Sequence, residues 1–128
     1  MVRKSTHVFK AEIRDSDDHY SDDDGSDPEF NIIQDDFPAS WTSMDAIRVY
    51  VRDDHNQAID VDVEHTGPGD TEYEAVSSNK TISIESGKDG GTAYLDGPVG
   101  NMRFRFYGIA SAPTEGSITV TVLGLGRE

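Results

Sequence analysis

The sequence predicts an all-β fold, an antiparallel β-sandwich of jelly-roll-like type with an extended N-terminal arm. Three observations predict it. Apolar and polar residues alternate in short segments, Gly, Pro and Asp clusters separate those segments at close intervals, and no window combines a helical period with caps. At 128 residues the chain can bury one core but not two.

In the first fourteen residues Arg3, Lys4, Lys10 and Arg14 face a single acid, Glu12, and Phe9, Ala11 and Ile13 alternate with Lys10, Glu12 and Arg14 as in a half-buried strand. Residues 15–29 then carry eight acids and no base, which predicts a loop or spacer without order of its own. These two segments together form the expected arm, residues 1–29. Phe9 and Ile13 are its expected contacts with a neighbouring subunit, and Arg3, Lys4, Lys10 and Arg14 its contacts with acidic surfaces.

Residues 30–128 form the expected sandwich domain. Ile47, Val49 and Val51 alternate with Arg48, Tyr50 and Arg52, and Ile59, Val61 and Val63 with Asp60, Asp62 and Glu64. Residues 53–57 suit a hairpin loop, which would set Arg48 and Arg52 across from those acids. Ile82–Ile84 and Tyr94–Leu95 mark short strands. Met102, Phe104 and Phe106, then Ile118, Val120 and Val122, define a closing pair joined by the loop 110–116.

The net charge is −14, with 25 acids against 11 bases. A disordered acidic chain would lack the aromatic and β-branched residues present here. A cation-binding protein and a salt-adapted surface remain, and acids spread along the whole chain favour the second, in which concentrated salt screens self-repulsion. Without a basic surface no nucleic acid is expected as partner. No apolar run is long enough to span a membrane, so none is expected there either. The basic N-terminus lacks the apolar stretch of a signal peptide, so the expected route out of a cell is lysis or a particle. Cysteine is absent, which excludes disulfides, thiol nucleophiles and thiolate metal sites.

No catalytic motif emerges, so no enzyme and no cofactor are expected. Asp22, Asp24, Asp27 and Glu29 offer oxygens for a divalent cation, but with Gly25 at the sixth position of an EF-hand loop the first ligand falls on Tyr20 and the twelfth on Asn31. A solvated loop is the simpler reading. His7, His19, His55 and His65 lack metal-ligand spacing and read as surface residues. Asn79 begins an N-glycosylation sequon. Trp41, Tyr50, Tyr73, Tyr94 and Tyr107 allow a sugar-stacking platform, although aromatics on a sheet face more often mark a protein contact.

The segments IRVYVRDDHNQAIDVDVE and MRFRFYGIASAPTEGSITVTVLG, within residues 45–125, resemble small β-sandwich proteins encoded among the head and tail genes of tailed viruses. The resemblance transfers no catalytic residue. With the acidic composition it implies a structural protein of a tailed virus of haloarchaea, located in the virion as a capsid decoration, turret or tail component. Its implied partners are other virion proteins and further copies of itself. The alternative is a receptor- or glycan-binding module on a virion or cell surface.

Overall fold

The computed structural model describes residues 2–38, 41, 44–66, 74–75, 82–84, 90–96 and 100–127. They form ten strands: β1 (Val2–Ile13), β2 (His19–Tyr20), β3 (Phe30–Asp35), β4 (Met44–Asp53), β5 (Ile59–His65), β6 (Glu74–Ala75), β7 (Ile82–Ile84), β8 (Gly90–Asp96), β9 (Met102–Tyr107) and β10 (Ile118–Arg127). No helix occurs among the described residues.

The strands build two antiparallel sheets. One has the order β3-β1-β10-β4-β8; the other has β2-β9-β5-β6, with β7 also on β5. The first strand pairs with the last, the second with the ninth, and β4 and β5 lie in opposite sheets. That is the connectivity of a jelly roll, with β3 added at one edge. The alternation read in the sequence turns one side of each strand inward. Phe9, Val49, Val51, Val120 and Val122 come from the first sheet, and Val61, Phe104 and Phe106 from the second; all are buried. Phe9 stacks on Phe106 across the interface at 5.8 Å and 15°. Phe30 lies 6.3 Å from Phe9 and 6.0 Å from Phe106.

The N-terminal strand is not an arm. β1 pairs with β10 from Val2↔Arg127 to Ala11↔Ile118, and with β3 on its other side. Phe9 and Ile13 are fully buried in their own chain's core, so they are unavailable to a neighbour. The division at residue 29 therefore does not separate a tether from a domain. A strand of alternating pattern seeks a partner, and the open flanks of β10 and β3 are within the same chain.

Both expected hairpins are arches between sheets. β4 pairs with β10 and β8, and β5 with β9, β6 and β7. The loop after β4 crosses from one sheet to the other, as does the loop after β9. Alternation specifies an inward face for each strand, and a hairpin and an arch satisfy it equally well. Arg48 and Arg52 consequently lie away from Asp60, Asp62 and Glu64, whose cross-strand neighbours on β9 are Tyr107, Arg105 and Arg103.

The arches are held by specific contacts. Gly116 has φ +93, and a Cβ there would collide with the Asp54 carbonyl oxygen. His55 is 1% exposed, with Nδ1 2.6 Å from Asp53 Oδ1 and Nε2 accepting the Ile13 N–H at 3.1 Å. A backbone N–H can only donate, so Nε2 carries the lone pair and Nδ1 the proton. The imidazole thereby ties the end of β1 to the end of β4.

Candidate functional site

The spacer after β1 crosses to the second sheet and is pinned there. Ser21 donates its N–H to the Phe104 carbonyl at 2.9 Å, and its Oγ accepts the Phe104 N–H at 2.8 Å. Asp15, Asp23, Asp24 and Asp27 accept backbone N–H groups two residues ahead, at Asp17, Gly25, Ser26 and Glu29. These local turns are how a stretch with almost no apolar residues becomes ordered. Hydrogen bonds from the Ser26 side chain and backbone hold the exposed Asp24 carboxyl below the usual value.

Two arginines of β9 bind the spacer to the sheet. Arg105 donates to Asp18 at 2.6 Å and stacks on Tyr107 at 4.4 Å. Arg103 reaches Glu64 at 2.7 Å and Asp22 at 3.4 Å, and stacks on Tyr20 at 4.2 Å. Burial works against the Arg103 charge, but Glu64 and Asp22 outweigh it and the net shift is upward. The Arg105 shift is also upward, chiefly through its hydrogen bond to Asp18.

His19 is the spacer's internal anchor. It is 3% exposed and lies flat on Phe30 at 4.6 Å and 5°. Its Nε2 is 2.6 Å from Asp15 Oδ1, and its Nδ1 is 3.7 Å from Asp27 Oδ2. Donor atoms of Asp15, His19 and Asp27 all fall within 4.8 Å of one another. This set suits either an imidazole held between carboxylates or, with the imidazole deprotonated, a first-row divalent cation. Of the four expected ligands only Asp27 belongs to it. Asp22 is engaged by Arg103, Asp24 closes its own turn, and Glu29 is exposed. The acid count drew attention to oxygens alone, whereas the missed signal was a histidine flanked by Asp15 four residues earlier and Tyr20 immediately after.

The other expected site residues are dispersed. Trp41 is fully buried, with its ring 5.3 Å from that of His7. Tyr50 and Tyr107 lie on the outer faces of opposite sheets, so they cannot share a stacking platform. Tyr94 is placed by backbone pairing opposite Arg48. Tyr73 and Asn79 fall outside the described residues. His19 and His55 are buried rather than on the surface, because each has its ring polarity met by a neighbouring carboxylate. A cleft of about 180 Å³ near Asp22, Asp35, Phe37 and Asn101 is smaller than a typical ligand pocket.

On the second sheet β5 presents Asp60, Asp62 and Glu64 beside Arg103 and Arg105, with the spacer acids alongside. On the first sheet the outward rows are Thr6, Leu123 and Arg48; Val8, Thr121, Tyr50 and Thr92; and Lys10, Thr119 and Arg52. Asp36 extends the Val8 row at the sheet edge, its Oδ1 accepting the Val8 N–H at 2.6 Å, and Glu12 follows Lys10 on the same side of β1, so this face mixes cations and carboxylates. Lys4, exposed, lies one row beyond Thr6. Arg14 is paired with Glu12 at 3.1 Å at the margin, and the Arg3 side chain lies outside the described set.

No protein-family model matches the chain, and no curated protein matches its sequence. Solved structures do. A protein derived from the SPBc2 prophage, YomS, superposes with a TM-score of 0.54 at 8% identity, covering 98% of this chain and 96% of its own. The vertex protein P5 of PRD1 superposes with a TM-score of 0.51 at 11% identity, covering 93% and 95%. At these identities the likeness establishes the fold: a β-sandwich with neighbours of jelly-roll type among virus-encoded proteins.

Proposed function

We propose that this chain is a non-enzymatic structural component of a virus particle, a capsid decoration, turret or tail protein of a tailed virus from a saline setting, acting through contacts between subunits. The observation that carries the reading is a jelly roll with two broad outer faces, matched over nearly its whole length by the prophage protein and the vertex protein. Broad flat faces suit subunit contacts, whereas catalysis calls for convergent groups in a cleft. Immunogold electron microscopy on intact particles tests it, with antibodies raised against the folded chain. Gold at repeated positions on heads or tails is expected. Label confined to host-cell debris would overturn the reading.

A further inference from the structure

The two ring nitrogens of His19 meet different surroundings. The ring is 3% exposed and Phe30 stacks on its face, so its polar contacts run in the ring plane. Nε2 lies 2.6 Å from Asp15 Oδ1, and an ionised carboxylate can only accept, so Nε2 carries the proton and Asp15 holds it. Nδ1 faces Asp27 Oδ2 at 3.7 Å, too long for a hydrogen bond. Asp27 is fixed through its other oxygen, Oδ1, which accepts the Glu29 N–H at 2.8 Å. Nδ1 and Oδ2 therefore point at each other, and neither has a hydrogen-bond partner among the described residues. A cation between them satisfies both. Two ligand atoms each about 2.1 Å from a tetrahedral ion lie about 3.4 Å apart, so the gap has only a few tenths of an ångström to close. Asp15 already does what a carboxylate does behind a metal-bound imidazole, fixing its tautomer and its plane.

We propose that His19 Nδ1 and Asp27 Oδ2 bind a first-row divalent cation such as Zn2+, with Asp15 as the positioning residue behind the imidazole and water completing the coordination. The nitrogen donor selects this class over calcium and magnesium, which take oxygen ligands. The ion fastens three strand ends at once, because Asp15 follows β1, His19 opens β2 and Asp27 precedes β3. It thereby closes a spacer that is otherwise held by one-turn hydrogen bonds and by the arginines of β9. The inference is independent of the structural-component reading above, since it concerns how the spacer is fastened and not what the chain builds.

Titration of the full chain with Zn2+ after treatment with a chelator tests the proposal, followed by nitrogen magnetic resonance of the His19 ring and by melting curves. Zn2+ should move the Nδ1 resonance while Nε2 keeps its proton, and should raise the melting temperature. Mg2+ at the same concentration supplies the same charge and screening, and should leave Nδ1 unmoved and raise the melting temperature less. Asp15→Asn should weaken Zn2+ binding by about 10–100-fold, and Asp27→Asn, which removes a ligand, by more. Asp27 is partly exposed, and Asn keeps the Oδ1 acceptor for the Glu29 N–H, so this variant should fold even where Asp15→Asn does not. Asp24→Asn alters an acid of the same spacer outside the cluster and should bind Zn2+ as the wild type does. An unmoved Nδ1 resonance, an equal response to Mg2+, or equal Zn2+ affinity in Asp27→Asn and Asp24→Asn would overturn the proposal. So would a proton that stays on Nδ1 throughout the titration, which would make His19 an imidazolium held between two carboxylates.

Discussion

Single residues hold the arches of this fold more than its strands do. His55 and Asp53 are both nearly inaccessible; the imidazole, held by Asp53, accepts the Ile13 N–H at the end of β1. Replacing His55 by Ala leaves the buried Ile13 amide without a partner and takes the imidazole from the buried Asp53 carboxylate, which keeps the backbone N–H of residue 55. The expected cost is about 3–5 kcal/mol, read from denaturant unfolding; a loss below about 1 kcal/mol would mean that water replaces the ring. Gly116→Ala combines a positive φ with a collision against the Asp54 carbonyl, and should lower stability by more than about 1 kcal/mol in the same assay. Neither role was legible in the sequence. His55 sits among polar residues between two strands, and nothing in that spacing states that the loop folds inward. His19 was hidden for the same reason: its buried position depends on Phe30, eleven residues away, and on a spacer whose composition suggests solvent.

At the scale of elements, strand positions were legible and pairings were not. Val49, Val51, Val61 and Val63 face the core as their alternation requires. The alternation cannot tell whether β4 and β5 share a sheet, because both choices bury the same residues. The same ambiguity affected β1, whose ladder with β10 joins the two ends of the chain and leaves no local trace. The corrected pairing changes what truncation should do. Removing residues 2–13 strips partners from β3 and β10 and takes Phe9, Ala11 and Ile13 out of the core. The shortened chain should lose its cooperative thermal transition. A cooperative transition within a few degrees of the full chain would contradict the interior placement of β1. The milder Phe9→Ala should cost about 3–5 kcal/mol, since that ring contacts both sheets.

For the whole molecule, charge and fold act together. The jelly roll lays an acidic spacer against one sheet, and the chain as a whole has a net charge of −14. Self-repulsion acts over about 10 Å at 0.1 M salt and about 3 Å at 1 M. Melting temperature should therefore rise between 0.1 M and 2 M potassium chloride, and equal values would remove the salt-adapted reading of the surface. The proposed role makes the chain a built-in part of a virus particle. Quantitative mass spectrometry of purified particles, with heads and tails separated, tests it most directly. Many copies per particle are expected, concentrated in one of the two fractions at a fixed ratio to the major subunit. Trace amounts that vary between preparations and follow host proteins would contradict it.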